Sequence, residues 1–531
     1  MRGAHTRAAL RRLGLCVATL GTSLGLLAAP AQPRVQTASG ALQGTTLDAG
    51  RTAAFLGIPY AQPPVGALRF QAPRAAPAWA PATLDATRFK PACMQQGKLP
   101  ADIGMAEDCL YLNVYVPATA APGASLPVMV FLHGGRYWTG RSSENQGEYL
   151  ANRENVIVVT PAYRLNAFGF LADARQAEAG HANAGIQDQQ MALRWIARHI
   201  RAFGGDPAQV TLFGESAGAG SVLMHLLADG SKDLFHRAIL QSTWQWRVPT
   251  LPEAAQGAER LAAAHGCPAE SAAALACLRA LPADRLLPSL ADSHAFQPVV
   301  DGRLLRAQPL QLLQQGRFHR DMPVLLGVNA QEGGFMAMSR TGWKKPNEAV
   351  TDAVFEQAAK AALRPFYAPE QVDDILSWYA PERATRGNWQ ALSHLFGDFY
   401  IDCGAYAGAQ ALLRHGRRPV FGYWFDHVSA HHDKPYLGAS HGDELPYLFD
   451  APVYPPGYAF TPQDRALSQR MMASWAAMAR RGDPRTAATP SWRPMSAQAP
   501  LAQVWAEPEA AAPHRFVDAA GTCERWRPLL E

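Results

Sequence analysis

The spacing of apolar residues changes character about a quarter of the way along the chain. In the first part, short apolar runs such as Gly57-Ile58-Pro59-Tyr60 and Tyr111-Leu112-Asn113-Val114-Tyr115-Val116 alternate with turns. From Pro127 to Leu240 the pattern becomes strand, helix, strand, helix. Residues 128–132 and 156–160 are continuous, β-rich apolar runs, as strands buried on both faces should be. Residues 187–203 read as a helix that Gly204-Gly205 terminates. Residues 210–213 form another buried strand, which runs into Gly214-Glu215-Ser216-Ala217-Gly218 and then a helical stretch at 222–228. Further strands are predicted at 238–240, 324–328 and 420–425. Residues 250–290 and 345–415 are helical in composition and are expected to cover the sheet. Strands separated by helices imply an α/β fold with a mostly parallel sheet between helical layers. No repeat or long linker divides the chain, so one domain with helical insertions is expected.

Composition narrows the class. The 531 residues are 48% hydrophobic and 18% charged, which excludes a disordered tail, a fibrous repeat and a multi-span membrane protein. The formal charge is +5, but Arg2, Arg7, Arg11 and Arg12 stand in an N-terminal stretch that has no acid. The remainder is close to neutral and gives no electrostatic reason to expect nucleic acid or an anionic membrane as partner.

Those arginines, the apolar run 13–28 and Ala29-Pro30-Ala31 read as a cleavable export signal over residues 1–31. A retained anchor needs about 20 apolar residues. This run is shorter and is interrupted by Gly14, Gly21, Thr22 and Ser23. The mature chain, 32–531, is therefore expected in the periplasm or outside the cell, with no membrane anchor. It keeps Cys93, Cys109, Cys267, Cys277, Cys403 and Cys523, an even set that suggests disulfides. Six cysteines allow 15 connectivities; proximity favours 93–109 and 267–277, leaving 403–523. No CxxC pair is present, and His431-His432-Asp433 lacks the spacing of a ligand set, so no metal is expected.

The chemistry centres on Gly214-Glu215-Ser216-Ala217-Gly218, a GxSxG pentapeptide between a predicted strand and a predicted helix. Flanking glycines permit a tight turn that lifts the Ser216 hydroxyl clear of the sheet, while the next helix aims its first N–H groups at the site. The bland alternative is a serine in a strand–helix turn. A serine hydroxyl needs a base, an orienting acid and oxyanion donors. His133-Gly134-Gly135-Arg136, after the strand at 128–132, lies where half of an oxyanion hole is expected. The N–H groups of Gly134, Gly135 and Arg136, with that of Ala217, are the candidate donors. A plain glycine turn is the competing reading.

With these motifs in place, the chain resembles the type-B carboxylesterases, the α/β-hydrolase group that includes the cholinesterases. The resemblance runs through Gly57-Ile58-Pro59-Tyr60-Ala61, Leu68-Arg69-Phe70, Glu107-Asp108-Cys109-Leu110-Tyr111-Leu112-Asn113-Val114 and Tyr163-Arg164-Leu165. It continues in Phe203-Gly204-Gly205-Asp206-Pro207 and Gly214-Glu215-Ser216-Ala217-Gly218, and late in the chain in Gly482-Asp483-Pro484. That family orders its triad Ser, Glu, His. By resemblance, Glu332 in Gly327-Val328-Asn329-Ala330-Gln331-Glu332-Gly333 is the acid, although Gln331 stands where aspartate is common. His441 in Gly438-Ala439-Ser440-His441-Gly442-Asp443-Glu444-Leu445 is the base. Spacing alone does not choose His441 among 16 histidines. The resemblance also implies the same disulfide order, and structural ion pairs Arg69–Glu107 and Arg164–Asp188.

The implied activity is hydrolysis of carboxylic esters by water through an acyl-enzyme, with no metal or organic cofactor. A lipase or amidase would use the same machinery. Some relatives have lost the serine and act as binding or adhesion proteins, but Ser216, Glu332 and His441 are all present here. Two departures bear on substrate. The segment from Cys93 to Cys109 has no aromatic residue, which argues against choline esters, because quaternary ammonium is bound over aromatic faces. Arg136 stands where a glycine or small residue is usual, and either binds an acidic substrate group, narrows the acyl pocket, or turns away into an ion pair. Trp244 and Trp246 are candidates for a pocket wall or for plain core.

Overall fold

Alternation along the central strands is what builds two cores on one sheet. Val128, Val130 and Leu132 face one apolar cluster, while Met129 and Phe131 face the other. Val324, Leu326 and Val328 against Leu325 repeat the pattern. Strands apolar on both faces must be covered on both, and burying such a side chain contributes about 1.5–3 kcal/mol. The helices Ala184–His199, Ala217–Leu227 and Cys403–His415 cover one face. Pro462–Arg481 packs Leu467, Met471, Met472 and Trp475 on the other. That helix starts at a Thr461 cap, whose hydroxyl accepts the Asp464 N–H, and ends at Gly482 in the left-handed region.

This is a computed structural model describing residues 32–530, except 122, 245, 289–293, 343, 346–347, 349, 433, 451–458, 508–513 and 518–520. The expected export signal lies outside the described residues. Pro33–Glu531 forms one compact unit. Among the described residues, the principal sheet has 11 strands. Its order runs from His514–Arg515 through Leu501–Trp505, Val420–Phe425, Val324–Asn329, Arg237–Gln241 and Gly205–Glu215. It continues through Leu126–Leu132, Ile157–Pro161, Tyr111–Pro117 and Thr52–Pro59 to Thr45–Leu47. The strands from Ile157–Pro161 to Leu501–Trp505 are parallel, and antiparallel strands close both edges. The fold is therefore the expected α/β-hydrolase type, a mostly parallel sheet between helices.

A third cluster belongs to the helical insertion. Asp352–Leu363, Pro369–Trp378 and Asn388–Gly397 pack together beside the sheet, as the composition of 345–415 predicts. Disulfides join Cys93–Cys109, Cys267–Cys277 and Cys403–Cys523. The last ties the helix Cys403–His415 to the C-terminal helix Thr522–Leu530. Arg69 meets Glu107 through two hydrogen bonds of 2.6 and 2.5 Å. Arg164 meets Asp188 at 2.8 and 2.7 Å, deep in the interior. Among the described residues, no helix is long and apolar enough to cross a membrane.

Candidate active site

The elbow forms because the strand Gly205–Glu215 turns into the helix Ala217–Leu227 with a single residue between them. That residue, Ser216, has φ 56° and ψ −122°, a conformation that costs a side-chain-bearing residue of order 1–3 kcal/mol. The surroundings enforce it. The Ser216 N–H donates to the Gln241 carbonyl at 2.9 Å, and the Ser216 carbonyl accepts from Gly220 at 2.9 Å and Trp244 at 3.2 Å. Gly218 lets the helix pass directly over the end of the neighbouring strand: a Cβ there would lie 1.9 Å from the Leu132 carbonyl oxygen. The helix therefore starts at Ala217, five residues earlier than the apolar pattern suggests.

The candidate oxyanion loop lies against this elbow. A Cβ on Gly134 would come 3.2 Å from Ser216 Cβ and 2.7 Å from Glu215 Oε2. Gly135, Arg136 and Tyr137 all take positive φ (100°, 60° and 57°). The Gly135 carbonyl turns away to accept from Trp138 and Thr139, both at 2.9 Å. His133 braces the loop from below: its ring stacks on Tyr163 at 4.3 Å, and the Tyr163 hydroxyl donates to the His133 carbonyl at 2.6 Å. Burial pulls the His133 pKa down to about 4, so it serves as a neutral support. Ala217 opens the helix, so its N–H is among the first four, which have no intrahelical acceptor. Gly134, Gly135, Arg136 and Ala217 thus lie in the two segments that meet at Ser216.

Glu332 and His441 come together from loops at the ends of neighbouring strands. His441 Nδ1 lies 2.6 Å from Glu332 Oε2, and Glu332 Oε1 accepts the Asn329 N–H at 2.7 Å. Gln331, the unusual neighbour, clamps the two loops: its N–H donates to the Ala439 carbonyl at 2.9 Å and its Oε1 accepts from the Ala439 N–H at 2.8 Å. The other imidazole nitrogen, Nε2, is 3.2 Å from Oε1 of Glu215, the residue bonded to Ser216. That contact is not aligned as a hydrogen bond, and Glu215 Oε1 has no hydrogen-bond partner among the described residues.

Sequence reasoning gave two of these carboxyls no role. Glu215 is buried directly before Ser216, and burial pushes its pKa up to about 8. Glu444 is fully buried three residues after His441. It accepts from Gln241 at 3.0 Å and Asn329 at 2.7 Å, and burial raises its pKa to about 7. Asn329 also donates to the Ser440 carbonyl at 2.7 Å, so this network fixes the histidine loop to the strand ends. Burial alone would lower the His441 pKa, but Glu215 and Glu332 outweigh it and hold it up at about 10. The two shifts compete for one proton, since a protonated Glu215 no longer attracts an imidazolium. Burial of Glu215 favours its neutral form near pH 7, and Glu332 is then the partner that raises His441.

The pocket candidates also converge. Arg136 lies over the Trp244 ring at 5.5 Å, Trp244 stacks on Tyr400 at 4.6 Å, and Trp246 packs on Gly404 and Gly408. All three line a cavity of about 680 Å³, so both tryptophans are core and pocket wall at once. His431 and His432 point to different partners, the Ala459 carbonyl at 3.1 Å and Asp443 at 3.3 Å; Asp433 lies outside the described residues. Asp398 lies near Cys403 and Cys523, whose sulfurs are joined in a disulfide and are not thiolate ligands.

A parallel sheet between helices, a strained serine at a strand–helix elbow and a Glu–His pair at neighbouring strand ends define an α/β-hydrolase. The chain belongs to the carboxylesterase family, whose model matches residues 31–515. It is 35% identical over 551 aligned residues to an acetylcholinesterase of Bungarus fasciatus, covering 97% of this chain and 88% of that one. It is 36% identical over 512 residues to an acetylcholinesterase of Electrophorus electricus, covering 85% of this chain and 80% of that one.

Proposed function

We propose that the protein is an exported esterase that cleaves carboxylic esters through an acyl-enzyme on Ser216. The observation that carries this reading is the 2.6 Å contact between His441 Nδ1 and Glu332, with the far side of the imidazole turned to the residue bonded to Ser216. In the reaction, Nε2 exchanges its contact with Glu215 for the Ser216 hydroxyl proton as Oγ attacks the ester carbonyl. Glu332 fixes the tautomer and stabilises the imidazolium. Such general-base assistance contributes typically about 10²–10⁴-fold. The N–H groups of Gly134, Gly135, Arg136 and Ala217 receive the developing oxyanion, each good donor being worth about 3 kcal/mol. His441 then passes its proton to the leaving alcohol. Water repeats the sequence and frees the acid and Ser216.

Export is supported by the N-terminal arginine-then-apolar pattern and by the three disulfides, which persist in oxidising compartments. Choline is not the proposed alcohol, because the segment from Cys93 to Cys109 offers no aromatic face. The test is hydrolysis of p-nitrophenyl butyrate by the wild type and by Ser216→Ala. Activity abolished in a folded variant is expected; activity retained by Ser216→Ala would overturn the mechanism.

A further inference from the structure

The cavity beside the oxyanion loop is unusual in its charge. Its described lining includes Arg136, Arg247 and Arg340 together with Trp244, Phe366 and Tyr400, and no Asp or Glu. The three arginines come from three distant segments: the oxyanion loop, the stretch after the strand Arg237–Gln241, and the end of the helix Gly334–Arg340 that follows Glu332. Two of them bracket one aromatic stack. Arg136 lies over Trp244 at 5.5 Å, Trp244 stacks on Tyr400 at 4.6 Å, and Arg340 donates to the Tyr400 hydroxyl at 3.0 Å. Arg247 lies over Phe366 at 5.5 Å and is shared with Glu253 at 3.3 Å, so its charge is partly balanced outside the cavity.

A guanidinium laid on an aromatic face keeps its N–H fork in the ring plane, where a carboxylate is received bidentately. Arg136 remains exposed to the cavity although its surroundings desolvate it. Burial lowers its pKa and Arg340 lowers it further, so the two cations feel each other. Like charges gathered in a recess repel, and an anion placed between them relieves that cost. The cavity also touches the chemistry. Arg136 supplies a candidate oxyanion N–H from its own backbone, and the Trp244 backbone N–H donates to the Ser216 carbonyl at 3.2 Å. At about 680 Å³ it accommodates a small ester group.

We infer that this cavity selects esters bearing a carboxylate, received by Arg136 and Arg340 with Arg247 at the margin, so that the preferred substrate is an anionic ester. The inference rests on the Ser216 esterase reading and names its substrate class. A carboxylate on the acyl part and one on the alcohol part present the same chemistry to the arginines, and the experiment separates them.

Two matched pairs of esters are compared by kcat/KM: monoethyl adipate against ethyl hexanoate, and 4-acetoxybenzoate against its methyl ester. The carboxylate compound is expected to win by about tenfold or more in one pair, the size of a charge-assisted contact. In that pair Arg340→Gln lowers the anionic-to-neutral ratio by about tenfold, Arg340→Lys keeps most of it, and raising salt narrows it. Neutral turnover serves as the folding control for each variant. Neutral esters hydrolysed as well as anionic ones in both pairs would overturn the inference and leave the esterase reading standing. A ratio unmoved by Arg340→Gln and by the Arg247→Gln/Arg340→Gln double variant would also overturn it. Hydrolysis of no ester, with wild type and Ser216→Ala alike, would remove the esterase reading and this inference with it.

Discussion

Replacing Gly218 by alanine probes the junction on which the site depends. The added Cβ would fall 1.9 Å from the Leu132 carbonyl oxygen, 2.8 Å from the Leu132 carbonyl carbon and 3.0 Å from that of His133. All three are backbone atoms, and no flexible side chain can swing aside. An ordinary contact lies near 3.4 Å, so the helix Ala217–Leu227 must withdraw by about 1.5 Å. Ala217 moves with that helix, while Leu132 leads directly into His133-Gly134-Gly135. The withdrawal therefore separates the two halves of the proposed oxyanion site. A misplacement of about 1 Å costs roughly 10²-fold in rate, and a lost oxyanion donor costs about 10²–10³-fold in kcat. Overpacking adds about 1–3 kcal/mol of destabilisation. The assay is steady-state hydrolysis of p-nitrophenyl butyrate alongside denaturant unfolding. We expect kcat to drop by about 10²–10³-fold, with a smaller change in KM and a folded but weaker protein. A folded Gly218→Ala enzyme with kcat within a few-fold of wild type would refute the claim that these two segments form the oxyanion site.

Four further predictions follow from the electrostatics. Because carboxylates hold the His441 pKa above its ordinary value and only the neutral imidazole acts as base, kcat/KM should still rise with pH above 7. Because burial keeps Glu215 neutral near pH 7, Glu215→Gln should leave the acid limb of the kcat/KM–pH profile nearly unmoved; a marked shift to lower pH would mean that Glu215 is ionised beside His441. Glu332→Gln removes the proposed orienting carboxylate and should lower kcat by about 10⁴-fold with little change in unfolding, so a loss of only a few-fold would contradict that role. Asp188→Asn strands the buried Arg164 guanidinium and should cost about 3–5 kcal/mol in urea unfolding, whereas a loss below about 1 kcal/mol would mean that the pair is not structural.

The centre of the fold was readable because strands covered on both faces have nowhere to place polar residues. The runs at 128–132 and 324–328 carry no polar side chain and 156–160 only Thr160, and each lies within or almost within a central strand. The edges were harder. Leu501–Trp505 ends the parallel array with Leu501 exposed and Gln503 half-buried, and Thr45–Leu47 is short and partly exposed. Such segments carry weak apolar signals. The helix begins at Ala217, ahead of the 222–228 stretch that the apolar pattern marks, because its first turn is built on Gly218, which is needed for close approach to Leu132. The helix Pro462–Arg481 carries legible end signals in Thr461-Pro462 and Gly482, yet the apolar pattern alone did not single it out.

The site divides along similar lines. Ser216 and its glycines form a local motif, so strand, turn and helix could be read together. Glu332 and His441 are 109 positions apart, and only family resemblance selected them. Arg247 and Arg340 carried no signal at all, because the cavity that gathers them exists only after three remote segments pack around Trp244 and Tyr400. Glu444 was likewise hidden: a glutamate in a polar loop reads as surface, and the Asn329 and Gln241 amides that make its burial tolerable come from other strands.

The most direct test of the account is capture of the covalent intermediate. Purified protein is mixed rapidly with p-nitrophenyl butyrate, quenched in acid at times spanning the first turnover, digested and mapped by mass spectrometry. The account predicts a butyryl group on the peptide containing Ser216, forming in step with a stoichiometric burst of p-nitrophenolate. Turnover with no acyl adduct and no burst, or an adduct on another residue with hydrolysis intact in Ser216→Ala, would contradict it.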